Sequence, residues 1–283
     1  MRQRTRHLIA LGAATALAVG SGIAVVGSAS AAPAATTALG LSSNGVNLTI
    51  FDLKTAKRTK ALGQAKGLVG DTRLVGIDQR PADHQFYGVG NSGGIYVINT
   101  GNAVVTKVSQ LSVALSGTHF GVDFNPAADR LRVISDTGQS LRHDVTQATP
   151  TTAVDGALNY TAGTVATGLV AAAYTNNDVD GRTGTTLFNL DATLDQIVQQ
   201  VPANSGTLVL SGPTGKNKGP VAGLDIVSKV TSSGRTYANT AYATLRPTAG
   251  GLATLYTVDL LSGTVNTVAK FNKDIADIAI PQP

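Results

Sequence analysis

Three residue types are absent from the 283-residue chain, and each absence limits its chemistry. Without cysteine there are no disulfides and no thiol nucleophile, so an exported chain would depend on its core alone. Without tryptophan the widest platform for stacking sugar rings is missing. Glutamate is also absent, and all 17 acidic residues are aspartates. Because glutamate favours helices, its absence and the 32 glycines together indicate a chain of strands and turns.

The first 31 residues have the composition of a secretory signal peptide. Arg2, Arg4 and Arg6 precede an apolar stretch at 8–26, and residues 29–31 form an Ala-Ser-Ala cleavage site. The sequence therefore predicts Sec-type export and an extracellular protein. The alternative is an uncleaved membrane anchor, because the apolar stretch is about long enough to span a bilayer.

The remaining chain is predicted to form one domain with a nearly neutral surface. Residues 32–38 are expected to be a disordered lead-in, and 39–283 show no internal linker and suffice for one all-β domain. Removing the signal leaves 19 basic and 17 acidic residues, a net charge of +2. A nearly neutral surface of this kind predicts no binding to nucleic acid and no attachment to a membrane after signal cleavage. The basic cluster at 54–60 is interpreted as a solvated edge that discourages strand pairing.

Four segments of the chain repeat one module at a spacing of about fifty residues, which indicates a propeller or solenoid. Residues 74–101 align without a gap on residues 119–146. Each unit divides into four short apolar stretches separated by turn residues, the pattern of a propeller blade. Residues 275–280 resemble the opening strand of a unit, whereas residues 39–62 contain only the later strands of a unit and lack an opening strand. We therefore expect a five-bladed β-propeller with 3+1 closure between the termini; six blades or an open β-array are the alternatives.

Six motifs carry a family resemblance. They are Asp-Phe-Asn-Pro at 123–126, Asp-Arg-Leu-Arg-Val at 129–133, Ser-Asp-Thr-Gly-Gln at 135–139, Asp-Gly-Ala-Leu at 155–158, Ala-Ala-Ala-Tyr-Thr-Asn at 171–176 and Leu-Tyr-Thr-Val-Asp at 255–259. Together they resemble the secreted bacterial family of unknown function numbered 4394, over nearly the whole mature chain. The resemblance implies a propeller-like fold and export, and no activity. The chain departs from the family pattern at 177–182, where a small uncharged turn is more usual.

Asp78, Asp123 and Asp225 occupy the same place near the end of the opening strand in three units. In a propeller this strand lies next to the axis, so we expect the three carboxylates to approach one another. One interpretation is a site for a cation or polar ligand, or the acid/base pair of a glycosidase. The other is that each aspartate accepts hydrogen bonds from its own turn. No glutamate is available for the raised-pKa acid that such catalysis needs.

Arg130, Arg132 and Arg142 form a second candidate ligand site. If the hairpin turns at 136–138, Arg132 lies opposite Arg142, and two facing guanidinium groups repel unless an anion lies between them. That anion is either a bound carboxylate ligand or an internal aspartate, with Asp123 and Asp129 as the candidates. A register slip of one residue would remove the arrangement.

Asn176, Asp178 and Asp180 precede a glycine at the spacing of a calcium loop. The twelfth position is Leu187 rather than a bidentate acid, so a solvated turn is the alternative. Calcium is the only cofactor that the sequence suggests. The three mature histidines, at 84, 119 and 143, lack zinc-ligand spacing and are interpreted as surface or edge residues.

These features favour a secreted binding or interaction module, monomeric and of unknown ligand, with its site at the mouth of the propeller channel. The partner is an unidentified extracellular ligand or protein. One alternative is an extracellular hydrolase or lyase that acts on a carbohydrate or lactone through the aspartate cluster, and another is a structural protein of the cell envelope. An enzyme predicts a deep polar channel in which the aspartates converge without arginine partners, whereas a binding module predicts that they are neutralised.

Overall fold

The chain forms β-strands almost throughout, as expected of a glycine-rich sequence without glutamate. A computed structural model describes residues 35–147 and 151–283, so the predicted signal peptide at 1–31 lies outside the described residues. Twenty of the 22 strands in the described part build five antiparallel sheets of four strands each, the blades of a β-propeller. The remaining two strands form a small separate hairpin.

The strands follow the chain from blade to blade. Blade 1 begins with β1 (Thr37–Leu41), β2 (Asn47–Asp52) and β3 (Arg58–Gln64). Blade 2 consists of β4 (Leu74–Gln79), β5 (Phe86–Gly90), β6 (Gly94–Ile98) and β7 (Val105–Gln110). Blade 3 consists of β8 (Phe120–Asn125), β9 (Arg130–Ser135), β10 (Ser140–His143) and β11 (Thr152–Val154). The hairpin of β12 (Asn159–Thr161) and β13 (Thr164–Val165) follows.

The second half continues in the same way. Blade 4 consists of β14 (Leu169–Tyr174), β15 (Leu187–Asp191), β16 (Gln196–Gln200) and β17 (Leu208–Pro213), with a 3-10 turn at Ala203–Ser205. Blade 5 consists of β18 (Lys218–Val230), β19 (Thr236–Pro247), β20 (Thr254–Val258) and β21 (Val265–Lys270). The final strand is β22 (Asp277–Ala279).

The tail of the chain closes the ring. Strand β22 pairs antiparallel with β1, placing Ala279 opposite Leu39 and Asp277 opposite Leu41, and so becomes the innermost strand of blade 1. The five innermost strands, β4, β8, β14, β18 and β22, contact one another in sequence around a closed ring. The predictions of five blades and 3+1 closure are confirmed, and an open array is excluded.

The core consists of five apolar clusters, one between each pair of neighbouring blades. Each blade is therefore buried on both faces. Between blades 5 and 1 the rings of Phe51 and Phe271 meet edge to face with centroids 5.0 Å apart. Between blades 2 and 3 Tyr87 and Phe124 do the same at 5.1 Å. Burial of both faces explains why the strands contain short continuous apolar stretches rather than strict alternation.

The glycines that open the repeat allow the innermost strands to approach closely. A Cβ atom on Gly121 would lie 2.5 Å from the backbone nitrogen of Ala172 in the next blade. A Cβ on Gly76 would lie 2.4 Å from Cγ2 of Val122. Only glycine fits such contacts, so the repeated glycine sets the narrow width of the axis.

The structure also differs from the expected strand pattern. Residues 194–201 satisfied helical spacing, but 196–200 form a strand because both faces of blade 4 are covered. Strands β18 and β19 are each about twice as long as the other blade strands, and the β12–β13 hairpin was not predicted.

No helix within the described residues is long and apolar enough to cross a membrane.

Candidate functional site

Three aspartates meet on the propeller axis. Asp78, Asp123 and Asp225 lie on the innermost strands β4, β8 and β18, and one ligand oxygen from each lies within 4.8 Å of the other two. Their exposed fractions are 3%, 4% and 1%. The structure therefore brings the three predicted site residues together in a buried cluster. Their ligand-binding role stays a prediction.

Each of these carboxylates joins its blade to the next one. The backbone N–H of Phe124 donates to Asp78 Oδ2 at 2.7 Å, and that of Tyr174 donates to Asp123 Oδ1 at 3.0 Å. The N–H of Ile280 donates to Asp225 Oδ2 at 2.5 Å. These hydrogen bonds run from blade to blade, which the own-turn interpretation did not include. Asp225 also accepts a local bond, from the N–H of Ile226 to its Oδ1 at 2.6 Å.

Two blades depart from this pattern. In blade 4 the equivalent position is Ala173, and the junction with blade 5 uses Asn177 instead, whose Nδ2 donates to the carbonyl of Ile226 at 2.8 Å. In blade 1 the acid lies two residues earlier, at Asp277, whose Oδ2 accepts the N–H of Ile77 of blade 2 at 2.9 Å. Four of the five blade junctions are therefore closed by a carboxylate near the axis.

The axial carboxyls are held in a low-dielectric environment among like charges. Burial, together with the neighbouring carboxyls, raises the pKa of Asp78 and of Asp123 well above its usual range. Burial raises the pKa of Asp225 and of Asp277 to about 7. Among the described residues, no lysine or arginine forms an ion pair with any of the four.

This arrangement agrees in part with the enzyme alternative and in part with the binding module. The aspartates converge without arginine partners, as the enzyme alternative predicted, but they are buried and bonded to backbone amides rather than lining an open channel. A shared proton or a bound cation would relieve their mutual repulsion, because carboxylate oxygens are ligands that hard cations prefer. Either way, the cluster has a structural task in joining blades.

The axis opens at the end where the innermost strands begin. A cavity of about 60 Å³ there is lined by residues from all five blades, including Arg73, His119 and Asp277. It shares Thr118 and His119 with a wider cleft of about 420 Å³ that extends over blades 3 and 4 and is also lined by Asp136. Asp277 lies at the axial cavity, and the aspartate cluster lies about two residues farther along the strands, roughly 6–7 Å deeper.

The polar groups at this mouth are only partly used by the fold. Asp136 accepts the N–H of Thr118 at 2.9 Å and that of His119 at 3.2 Å. The side chains of Arg73 and His119 are partly exposed and make no hydrogen bond or ion pair with another described residue. A guanidinium and an imidazole therefore remain available to a ligand. Together, this cavity and its adjoining cleft form the axial mouth of the propeller.

The predicted register of the arginine cluster is present, but its counter-ion is a different residue. Arg132 lies opposite Arg142, as expected. The anion between them is Asp155, whose Oδ2 accepts Arg132 Nη1 at 2.6 Å and Arg142 Nε at 2.9 Å. Asp129 instead binds Arg80 of blade 2. Asp123 accepts the backbone N–H of Tyr174.

The arginine cluster is closed by protein groups. Arg132 is 1% exposed and also donates to Tyr174, Ser140 and Asn204. Arg130 pairs with Asp144 at 2.8 Å. The internal network expected as the alternative to a bound carboxylate accounts for these contacts, and a ligand role for the three arginines stays a prediction.

The predicted calcium loop has protein partners at each of its three residues. Asn176 Oδ1 accepts from Asn239 at 2.7 Å, and Asp178 Oδ2 accepts the N–H of Thr236 at 2.8 Å. Both oxygens of Asp180 accept from Arg182, which lowers the pKa of Asp180 to about 2. A calcium ion here would have to displace these donors.

Histidine 143 is buried, so its assignment to the surface or an edge is wrong. His143 Nε2 lies 2.7 Å from Ser109 Oγ, and its Nδ1 lies 3.0 Å from Thr152 Oγ1. Burial lowers the pKa of His143, which favours the neutral ring. This hydrogen-bonded chain joins blades 2 and 3, and a threonine stands where a catalytic triad would have an acid.

Sequence reasoning missed several residues. Asp277 had a signal, because the alignment of 275–280 with 221–226 shows an acid two places before the usual aspartate. Asp155 lies in one of the family motifs, but nothing in its neighbourhood indicates that it folds back onto blade 3. Arg73 and His119 immediately precede opening strands and become functional candidates only when five blades surround one mouth.

The architecture and the carboxylate-closed axis define a five-bladed β-propeller of about 245 residues whose open end is a polar mouth. The chain belongs to the family described as Domain of unknown function (DUF4394), which matches residues 47–279. No curated protein matches the chain.

Several solved structures are similar over most of the chain. A protein of unknown function from Bacteroides caccae has a TM-score of 0.44 and 10% identity, covering 87% of this chain and 99% of its own. An auxiliary nutrient binding protein from Bacteroides thetaiotaomicron has a TM-score of 0.41 and 12% identity, covering 72% of this chain and 55% of its own. A protein of unknown function from the same organism has a TM-score of 0.41 and 13% identity, covering 89% and 68%.

Proposed function

We propose that the protein is an exported binding module that holds a small polar ligand at the axial mouth. The observation that carries this proposal is the contrast between the two levels of the axis. At the deep level every aspartate is buried and bonded to a neighbouring blade. At the mouth, Arg73 and His119 face a cavity with no partner among the described residues. Polar groups that the fold does not use, converging on a concave surface, are the usual mark of a binding site.

The sizes of the two parts of the mouth suggest how a ligand would be positioned. The axial cavity of about 60 Å³ accommodates one functional group, whereas the adjoining cleft of about 420 Å³ falls within the range of small-molecule sites. A ligand would therefore insert one polar group between Arg73 and Asp277 and lay its body over Thr118 and Thr193. Because the mouth offers both a cation and an acid, the inserted group would carry both a hydrogen-bond donor and an acceptor, as amino acids and hydroxy acids do.

Export is the second part of the proposal, and its support is the sequence of residues 1–31. Expression of the full chain in a bacterial host with a Sec pathway tests it. We expect the mature protein in the exported fraction with an N-terminus near Ala32. An intact N-terminus on a membrane-bound product would favour the anchor alternative instead.

Thermal shift measurements test the binding site. The panel contains neutral monosaccharides, uronic acids, amino acids and short hydroxy acids, each at millimolar concentration. We expect one of these classes to raise the melting temperature of the wild type, since a ligand that binds only the folded state stabilises it. The same compound should lose most of its effect on Arg73→Gln and His119→Ala.

A matched control is Arg235→Gln, which also removes one exposed cation but lies in blade 5 outside the axial mouth. This variant should retain the full shift. A panel that stabilises none of the proteins, or that stabilises all of them equally, contradicts the proposal.

The hydrolase or lyase alternative has its own observation, the convergence of carboxyls with raised pKa values. It requires substrate to reach side chains that are at most 4% exposed. Turnover of a polysaccharide or lactone that disappears in Asp78→Asn but persists in Arg73→Gln would support this alternative over the binding module.

A further inference from the structure

A further arginine stands beside the axial mouth, on blade 5. Arg246 lies on β19 and lines a pocket of about 200 Å³. This blade-5 pocket shares Pro220 and Val221 with the axial cavity, so the two spaces adjoin. A ligand that occupies the axial mouth can therefore extend toward Arg246.

The guanidinium of Arg246 makes no hydrogen bond with a described residue. Its ion-pair partner is Asp274, whose Oδ1 lies 3.6 Å from Nη1, which is too far for a hydrogen bond. The other carboxylate oxygen of Asp274 accepts the N–H and the hydroxyl of Ser43, at 3.1 and 2.7 Å. The side chain of Arg246 is 27% exposed. Its N–H donors therefore remain available to a ligand in the blade-5 pocket.

One tight turn of blade 1, between β1 and β2, separates Arg246 from Arg73. Ser43 in this turn binds Asp274, the neighbour of Arg246. Two residues later, a Cβ atom on Gly45 would lie 3.2 Å from the Cβ of Arg73. The turn also lines the axial cavity. Because blade 1 lies between blades 5 and 2, the two arginines stand on opposite sides of this turn at the rim of the mouth.

The acids at this end of the propeller are used by the fold. Asp136, Asp274 and Asp277 each accept at least one backbone N–H. Arg73 and Arg246, in contrast, donate no hydrogen bond to a described residue. A ligand here therefore meets more unused donors than unused acceptors, which favours an anion rich in acceptor oxygens.

We propose that the ligand of the axial mouth carries two oxyanion groups, one bound by Arg73 and the other by Arg246. This inference rests on the proposed function, because it names the ligand class of the same site. A guanidinium presents paired N–H donors that match a carboxylate and a phosphate alike. The ligand class is therefore a small dianion with two such groups joined by a short spacer.

Electrostatics favours two anionic groups over one. Arg73 and Arg246 carry like charges on either side of one short turn, so each raises the cost of leaving the other without a counter-ion. A ligand with a single anionic group would leave one guanidinium without a partner other than water or the distant Asp274 oxygen. A dianion provides an acceptor for both.

Isothermal titration of the mature chain with succinate and succinamate tests the proposal. The two probes have the same length, but succinamate has a neutral amide in place of one carboxylate. We expect succinate to bind at least about tenfold more tightly, because only succinate offers a charged acceptor to each arginine. The analogue 3-phosphonopropionate keeps the spacer and replaces one carboxylate with a phosphonate. The tighter binder of the two dianions identifies the preferred anionic group.

Variants separate the roles of the two arginines. Arg246→Gln should remove the preference for succinate and leave the affinity for succinamate unchanged, whereas Arg73→Gln should weaken both probes. Arg246→Lys keeps the charge without the fork and should retain part of the preference. Arg235→Gln is the matched control, since it removes an exposed cation of blade 5 outside the mouth, and it should bind both probes like the wild type. Circular dichroism of each variant confirms the fold.

A gain of affinity provides a test that a damaged fold cannot imitate. Asp274→Asn removes the negative charge beside Arg246 and keeps an oxygen that accepts from Ser43. This variant should bind succinate more tightly than the wild type does, with succinamate unchanged. Weaker binding of succinate by this variant would contradict the role of Arg246.

The outcomes distinguish this inference from the proposed function. Equal affinity of the wild type for succinate and succinamate would overturn the inference, as would equal weakening of both probes by Arg246→Gln. The proposed function would survive either result, because a ligand would still bind at Arg73. If the wild type binds an amino acid or a sugar but neither anion, the inference alone fails. If no compound binds, both fail.

Discussion

The buried axial carboxyls should make the propeller less stable as the pH rises from mildly acidic to mildly basic. Burial raises the pKa of Asp225 from 3.8 to about 7, so the folded protein binds this proton more tightly than the unfolded chain. The stabilisation from that proton is complete below pH 3.8 and is lost as the pH rises through 7. One pKa unit corresponds to about 1.4 kcal/mol, which gives about 4 kcal/mol for this group over the whole range.

More than half of that loss falls between pH 5 and pH 8. Asp78 and Asp123 act in the same direction because their pKa values are also raised. His143 acts in the opposite direction: its lowered pKa means that stability is lost as the pH falls below about 6.5. We expect the aspartates to dominate because at least three of them titrate together.

The variant Asp123→Asn tests the aspartate contribution directly. Its Oδ1 can still accept the N–H of Tyr174, while its amide donates toward the neighbouring carboxyls. Because the group that resists ionisation is removed, we expect the variant to be about 1–3 kcal/mol more stable than the wild type at pH 8 and closer to it at pH 5. Urea denaturation at both pH values measures the difference, and His143 is the same in both proteins.

Asp180→Asn is the matched control, because the pKa of Asp180 is lowered to about 2 and lies below the tested range. Its change in stability between pH 5 and pH 8 should equal that of the wild type. The reasoning would be refuted if the wild type became more stable from pH 5 to pH 8. It would equally be refuted if Asp123→Asn kept the pH dependence of the wild type.

Three further predictions follow from single contacts. Asp155→Ala leaves Arg132 buried without a carboxylate and should lower the unfolding free energy by about 3–5 kcal/mol in urea denaturation; an effect below 1 kcal/mol would contradict this. Gly121→Ala should lower it by about 1–3 kcal/mol because the added Cβ meets backbone, whereas Gly184→Ala, with open space around it, should be neutral. Calcium at millimolar concentration should leave the melting temperature unchanged because the loop oxygens have protein partners, and a rise abolished by Asp178→Asn would restore the calcium prediction.

Much of the fold could be predicted because a propeller repeats one local pattern. The self-alignment of 74–101 with 119–146 fixes the blade, and the incomplete units at the two ends fix the closure. The facing of Arg132 and Arg142 followed from the hairpin turn alone. These features depend on contacts between neighbouring strands, which the order of residues determines.

Features that depend on contacts between blades were harder to predict. The side of a strand that faces the axis can be inferred, but the end of the axis that stays open cannot, so Arg73 and His119 had no signal. Asp155 reaches Arg132 from the segment that connects blades 3 and 4, whose path depends on the packing of both. Likewise, the groove that Arg58 and Lys273 share forms only when the end of the chain returns to blade 1.

The absence of cysteine connects the fold to the location of the proposed sites. A ring without disulfides needs another way to hold its blades together, and here three of the five junctions use a carboxylate that is at most 4% exposed and accepts a backbone N–H. A carboxylate that accepts such a bond and is almost fully buried cannot also meet a ligand without opening the junction. The three deep aspartates therefore serve ring closure, and ligand recognition is left to the more exposed polar groups at the axial mouth. Among the described residues at the mouth, the side chains of Arg73 and His119 have no protein partner and are the groups best placed to bind a ligand.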